Sequence, residues 1–73
     1  MEYTINWEEE FKEFGFLVTT EEASKMLAVN TTTIRELILS NELLGLKVGR
    51  NYRIPKKVII EFLKNQEKKS YKK

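Results

Sequence analysis

The side chains best suited to hydrogen bonding with another molecule fall into two short groups along the chain. The first group lies on a predicted helix and consists of Asn30, Thr31, Thr32, Thr33, Arg35 and Glu36. The second group lies on a predicted hairpin and consists of Lys47, Arg50, Asn51, Tyr52 and Arg53. Hydroxyl and guanidinium groups donate to phosphate oxygens and to the acceptor edges of bases, so both groups are candidates for contact with a nucleic acid.

The sequence contains few of the residue types that carry out catalysis. The chain contains no Cys and no His, which excludes disulfides, thiol or imidazole nucleophile pairs and the usual zinc ligands. Glu8, Glu9 and Glu10 are adjacent, but neighbouring side chains on a helix diverge around its axis and do not form an acid-base or metal cluster. We therefore expect no enzyme activity, no metal and no cofactor.

The charges divide by position, although the formal net charge is only +2. Residues 1–16 carry five Glu and one Lys, a net charge of −4, which leaves +6 for residues 17–73. From Lys47 onward ten Lys or Arg stand against two Glu, a net charge of +8. A cationic half of this density attracts polyanions, and nucleic acid is the commonest polyanion for an intracellular domain; the alternative is an ordinary solvated basic face.

The length of 73 residues allows one small domain with a thin core. No apolar run is long enough to cross a membrane, and the acidic start at Glu2 is unlike the basic start of a signal peptide. We expect a cytoplasmic protein that does not contact a membrane.

An acidic aromatic helical extension is predicted over residues 1–16. Asn6 suits its N-cap, and Trp7, Phe11 and Phe14 fall on one face at helical spacing. Two interpretations stay open: the aromatic side chains enlarge a thin core, or the segment binds a partner or a second copy of the chain through its acidic face.

Two further helices are joined by a turn too short for any regular element, after an extended stretch over 16–18. Thr19 and Glu22 have the Thr-x-x-Glu spacing of a capping box at the start of the first helix. Asn30 is a suitable N-cap for the second helix, and Asn41 suits the left-handed position that ends it.

The periodicity then changes from helical to alternating, which predicts a hairpin with its turn at 49–51. The alternating apolar positions are Leu46, Val48, Tyr52 and Ile54. Pro55 is expected in the first turn of a last helix, and the basic tail over 67–73 is expected to be disordered. The predicted fold is mainly α with a small β-hairpin wing, an α+β fold in the order α-α-turn-α-ββ-α, with a winged helix-turn-helix domain over 17–66.

In a winged helix-turn-helix, the second helix of the pair enters the major groove and the wing reaches the phosphate backbone or the adjacent minor groove. Thr31 and Thr32 offer hydroxyls to phosphates or bases, and Arg35 is placed for a bidentate contact with guanine. Glu36 either accepts from cytosine or orients a basic neighbour, and Tyr52 either contacts DNA or fills the core. The alternative for the whole helix is an ordinary exposed face.

Four stretches of the sequence carry a family resemblance: LVTTEEASKMLAVN over 17–30, Thr33-Ile34, Asn41-Glu42-Leu43, and VGRNYRIP over 48–55. In these stretches the chain resembles the excisionase family of small DNA-binding domains, over about residues 17–64. The resemblance implies a fold similar to that of MerR-type regulators and an accessory factor that binds and bends double-stranded DNA. It also implies self-association of several copies along an attachment site, and a partner integrase of the tyrosine recombinase kind that is directed toward excision of a mobile element. A protein of this kind is nucleoid-associated and of bacterial or phage origin.

The departures from the family pattern are mild. Ser24, Ala28, Asn30 and Asn41 stand where the family usually has Ala, Gly, Ser and Gly, and all four preserve size or backbone role. The acidic segment before Thr19 is not required by the family.

Three functions are consistent with these observations. The first is a recombination directionality factor, and the second is a small MerR-like transcriptional regulator that uses the same domain. The third is a protein-interaction or antitoxin-like module whose working surface is the acidic helix around Trp7 and Phe14.

Overall fold

The computed structural model describes residues 5–71, with side chains over 5–69. Its helices are α1 (Trp7–Glu10), α2 (Thr20–Leu27), α3 (Thr31–Leu39) and α4 (Lys56–Tyr71), and its strands are β1 (Leu17–Thr19), β2 (Leu46–Val48) and β3 (Asn51–Pro55). The predicted α+β class and winged helix-turn-helix architecture are confirmed, and β1 adds one strand to the predicted order. Within residues 5–71, no helix is both long enough and apolar enough to span a membrane.

Side-chain caps begin both helices of the α2-α3 pair, as the sequence predicts. Thr19 Oγ1 accepts a hydrogen bond from the Glu22 N–H at 3.0 Å, and Glu22 Oε1 accepts one from the Thr19 N–H at 3.0 Å. Asn30 Oδ1 accepts from the Thr33 N–H at 2.9 Å at the start of α3. Each cap stabilises its helix by about 1 kcal/mol because it satisfies amides that have no partner within the helix.

Both helices of the pair end next to a left-handed residue. After α2, Ala28 has a φ of 58°, and the Val29 N–H donates to the Ser24 carbonyl at 3.0 Å. After α3, Asn41 has a φ of 66°, and the N–H that follows it donates to the Leu37 carbonyl at 2.9 Å. These contacts are Schellman motifs, which turn the chain sharply at a helix end. The left-handed conformation predicted for Asn41 is confirmed.

The three strands form one antiparallel sheet in the order β1-β3-β2. Val18 pairs with Ile54, and both side chains are buried. The sequence predicts the hairpin but not its pairing with β1, because a strand of 3 residues carries almost no periodic signal. The sequence also predicts Pro55 in the first turn of the last helix, whereas the structure makes it the last residue of β3. The strand continues that far because the Lys56 N–H donates to the Phe16 carbonyl at 2.8 Å and prolongs the pairing with β1.

The core lies between the helix pair, the inner face of the sheet and α4. Its buried side chains are Val18, Ala23, Met26, Ile34, Ile38, Leu43, Ile54 and Ile59. Ala23 and Met26 of this set come from α2, and Ile34 and Ile38 come from α3. Because Ile34 and Ile38 turn one side of α3 into the core, the polar side of that helix faces outward.

The N-terminal segment is less helical than its aromatic spacing predicts. α1 is 4 residues long, with Asn6 as its N-cap, and turns follow it. Phe11 leaves the helical conformation, yet its ring stacks on Trp7 and meets Phe14 edge-on, each at a centroid distance of 6.0 Å. Lys56 Nζ donates to the carbonyls of Phe11 and Phe14 at 3.2 and 2.9 Å, and the Phe11 carbonyl also accepts from the Phe14 N–H at 3.0 Å in a turn. Both Phe side chains pack against the core, which favours the core interpretation of this segment.

The last helix is longer than the sequence predicts. α4 runs to Tyr71 and so includes most of the 67–73 segment for which disorder is expected, while residues 72 and 73 lie outside the described residues. Trp7 Nε1 donates to Glu67 Oε1 at 3.0 Å. This contact joins the far part of α4 to the N-terminal segment. Local composition cannot predict it, because the two residues are 60 positions apart.

Candidate nucleic-acid interface

The outward face of α3 carries the side chains predicted to recognise a ligand. Thr32, Arg35 and Glu36 are exposed, and Thr31 is half-buried. The burial of Ile34 on the opposite side fixes the rotation of the helix. A duplex that approached this face would therefore meet hydroxyl, guanidinium and carboxylate groups along the first two turns of α3, with the exposed Leu39 at the end of the helix.

Two residues predicted as contacts are engaged in the start of the helix. Asn30 Oδ1 accepts from the Thr33 N–H at 2.9 Å and from Thr33 Oγ1 at 3.1 Å. These bonds hold the first turn of α3 in place, and they leave the Asn30 amide group and the lone pairs of the Thr33 hydroxyl for another partner.

The wing is a tight hairpin with Gly49 and Arg50 as its two-residue loop. Gly49 has a φ of +65°, and a glycine at the first loop position is the mark of a type II′ turn, whose twist suits a hairpin. Arg50 is exposed at the tip, and Asn51 is exposed at the start of β3. Asn51 belongs to the strand, opposite Val48, and not to the turn that the alternation predicts over 49–51.

The paired strands orient the other cations of the wing. Lys47 is the cross-strand partner of Tyr52, and its Nζ lies 5.5 Å from the ring centroid in a cation–π contact. Tyr52 is half-buried and packs against the core, which supports the core alternative for this residue. Arg53 is half-buried, and its Nη1 donates to the Tyr52 carbonyl at 3.2 Å.

A cleft of about 290 Å³ joins the two predicted elements. Four predicted residues line it: Arg35 from α3, and Asn51, Tyr52 and Arg53 from β3. The cleft thus brings two arginines, distant in sequence, to one concave surface. Thr31, Thr32, Glu36, Lys47 and Arg50 lie on the same two elements but do not line this cleft.

Three cleft residues escaped sequence reasoning. Thr19, Thr20 and Glu21 line the cleft from the start of α2. The sequence pattern explains Thr19 by the capping box and Glu21 by the helix dipole, and it gives Thr20 no role. The available signal was the helix-turn-helix arrangement itself, since the first helix of the pair crosses the DNA backbone beside the recognition helix.

Part of the positive charge after Lys47 is used within the chain. Lys64 Nζ lies 3.5 Å from Glu8 Oε2, and Lys56 Nζ is bound to carbonyls of the N-terminal segment. The pKa of Glu8 is lowered, first by a hydrogen bond from its own backbone amide at the start of α1 and then by Lys64. The charge split along the sequence therefore overstates the charge that is free for a polyanion.

Two polar elements on one side of a small α+β core define a winged helix-turn-helix domain as the class of this protein. The family model described as "Helix-turn-helix domain" matches residues 17–67, so the chain belongs to the helix-turn-helix domain family. This family match supports DNA binding by the chain, and so supports DNA as its partner. Comparisons with curated proteins and with solved structures found no match in either set.

Proposed function

We propose that this chain binds double-stranded DNA in a sequence-specific manner, with α3 in the major groove and the wing on the backbone or adjacent minor groove. The cleft carries the proposal, because Arg35 of α3 and Arg53 of the wing line one concave surface. Arg35 makes the bidentate contact with guanine, and Thr32 donates to a phosphate or base. Arg50, at the exposed tip, contacts phosphate.

We propose further that the biological role is that of an excisionase, a recombination directionality factor. Several copies bind along an attachment site, bend the DNA and direct an integrase of the tyrosine recombinase kind toward excision. Support comes from the stretches that resemble excisionases and from the helix-turn-helix family, which includes excisionase-like DNA-binding proteins. In this role the chain acts in the cytoplasm on the nucleoid, and it acts by binding alone, without catalysis.

Fluorescence anisotropy tests the DNA interface with two duplexes: one selected for tight binding to the wild-type chain, called the selected duplex, and one of random sequence. Arg35→Ala should weaken binding to the selected duplex by about 1 to 3 kcal/mol and relax its sequence preference, because a base contact is lost. Arg50→Ala should weaken both duplexes alike and lower the slope of log Kd against log salt by about 1, because a phosphate contact is lost.

Lys12→Ala is the matched control. This variant also removes one positive charge, but from an exposed side chain of the acidic segment. Lys12 Nζ lies 2.8 Å from Glu9 Oε2. Binding should stay unchanged in this variant. The interface is wrong if Arg35→Ala and Arg50→Ala both bind like Lys12→Ala, or if no duplex binds the wild-type chain more tightly than the roughly 10⁻⁴ to 10⁻⁶ M of non-specific contacts.

Footprinting and a circular-permutation assay test the recombination role. We expect several repeated protected sites next to the arm of an integrase site, with bent DNA. A single operator upstream of an unrelated gene would contradict the excisionase role and favour the transcriptional regulator.

A further inference from the structure

Glu21 is an acidic side chain in a cleft that otherwise suits an anion. The first turn of α2 contains two glutamates, and Glu22 is engaged in the capping box with Thr19. Glu21 is exposed and lines the cleft together with Arg35 and Arg53. A glutamate that served only the helix dipole would serve it equally well on a face turned away from DNA.

The carboxylate of Glu21 is not fixed within the chain. Among the described side chains, none makes a hydrogen bond with it or lies within 4.0 Å of it as an ion-pair partner. The Ser24 hydroxyl donates to the backbone carbonyl of Glu21 and leaves the side chain unused. The carboxylate is therefore available to whatever enters the cleft or to a neighbouring guanidinium.

Arg35 is a natural partner because it lines the same cleft, of about 290 Å³. Arg35 is exposed, and its long side chain has several rotatable bonds, so its guanidinium is free to turn within the cleft. An ionised carboxylate has only acceptor oxygens, so it attracts arginine and repels phosphate.

We propose that Glu21 is a specificity-determining residue of the DNA interface, one that acts by competing for Arg35. On a random sequence, Arg35 leaves the Glu21 carboxylate and binds a DNA phosphate, and the Glu21 carboxylate repels that phosphate. On a matched sequence, Arg35 exchanges it for the two acceptors of a guanine, which hold a guanidinium in a bidentate way. Leaving the carboxylate weakens binding to both sequences equally, so the difference comes from the repulsion of the phosphate, and Glu21 thus weakens non-specific binding more than specific binding. This inference rests on the proposed DNA interface.

Glu21→Gln tests this role because it keeps the shape of the side chain and removes its charge. Dissociation constants are measured by fluorescence anisotropy for a selected duplex and for a random duplex of equal length, at several salt concentrations. Binding to the random duplex should tighten more than binding to the selected duplex. The dissociation constant for the random duplex divided by that for the selected duplex should therefore fall by about fivefold. This is the lower end of the discrimination that a bidentate base contact gives.

Glu61→Gln is the charge-matched control, since Glu61 is exposed on α4 and does not line the cleft. It should tighten both duplexes slightly and equally. Thermal unfolding of each variant, followed by circular dichroism, verifies that α2 stays folded without the Glu21 charge.

The pair Glu21→Gln and Arg35→Ala then separates competition for Arg35 from a general field effect. With Arg35 already removed, Glu21→Gln should leave the ratio of constants unchanged. The proposal is overturned if Glu21→Gln behaves like Glu61→Gln, or if its effect on the ratio persists without Arg35. If the wild-type chain binds no duplex, the DNA interface itself fails and this inference with it, whereas normal wild-type binding with an unchanged ratio removes this inference alone.

Discussion

The α2-α3 helix pair and the wing of β2 and β3 are held in place by different means. The helix pair has a capping box, an asparagine N-cap and two Schellman motifs, and it contributes four of the core side chains. In the wing, all three residues of β2 are exposed, and its pairing within the described residues is with β3. The helix pair is thus fixed by its own local hydrogen bonds and by the core, whereas β2 depends on one strand ladder and on the turns at its two ends.

This difference suits the two tasks that we propose. A helix that reads base edges needs a fixed position, because a small displacement breaks a bidentate contact. A wing that contacts phosphates repeats the same chemistry along the backbone and tolerates some movement. Substitutions at the turns measure how far the two regions are independent.

The largest effect is expected at Gly45, which lies where the chain leaves the helix pair and enters the wing. A Cβ at this position would lie 2.8 Å from Ile38 Cδ1 and 2.8 Å from Ile38 Cγ2. Ile38 is buried and has little room to move, so Gly45→Ala should lower the free energy of unfolding by about 1 to 3 kcal/mol. Urea denaturation followed by circular dichroism measures this change.

Gly15→Ala is the control for that substitution. Its added Cβ would have only the Leu17 carbonyl oxygen at 3.9 Å, an ordinary contact, so its stability should stay close to that of the wild type. If Gly45→Ala is as stable as Gly15→Ala, then the wing joins the helix pair without a close approach to Ile38, and the two regions are more loosely connected than we infer.

Local hydrogen bonding explains which parts of the helix pair are predictable from sequence. The caps at Thr19 and Asn30 and the left-handed Asn41 depend on residues three to five positions away, so sequence spacing reveals them. The hairpin is visible for the same reason, through alternation around Gly49. These elements also place the predicted Arg35 and Arg53 on one cleft.

Contacts between distant segments explain what the sequence does not predict. The pairing of Val18 with Ile54 extends the sheet, and the Trp7 contact with Glu67 accompanies a longer α4. Aromatic spacing overstates α1: the chain leaves the helix at Phe11, and Lys56, from another element, binds the carbonyls of Phe11 and Phe14. Glu21 escapes prediction because its role depends on which side chains face it across the cleft.

An intermediate effect is expected at the tip of the wing, from Gly49→Ala. Gly49 has a φ of +65°, a conformation that costs a residue with a Cβ about 1 to 2 kcal/mol, and no atom lies within 4 Å of the added carbon. The penalty is therefore one of backbone conformation. Hydrogen exchange should become faster at the wing amides of Val48 and Asn51, with a smaller change at the amides of α3.

Gly49→Asn separates backbone conformation from other causes, because asparagine accepts the positive φ of a primed turn more readily than alanine does. It should retain more of the wing's protection than Gly49→Ala. Equal loss in both variants would contradict the conformational explanation, and equal acceleration in α3 and the wing would show that the two regions unfold as one unit.

The smallest effect is a gain in stability inside the helix pair, from Ala28→Gly. Ala28 adopts a φ of 58° between α2 and α3, where the family resemblance leads us to expect glycine. Relief of the left-handed strain exceeds the greater entropy of an unfolded glycine, so the free energy of unfolding should rise by about 0.5 to 1 kcal/mol in urea denaturation. Lys25→Gly, within the helical part of α2, should instead lower it by about 1 kcal/mol. A higher free energy of unfolding for Ala28→Gly and a lower one for Lys25→Gly would establish that the turn of the helix pair stores strain at Ala28. A lower free energy of unfolding for both variants would mean that Ala28 is held without strain.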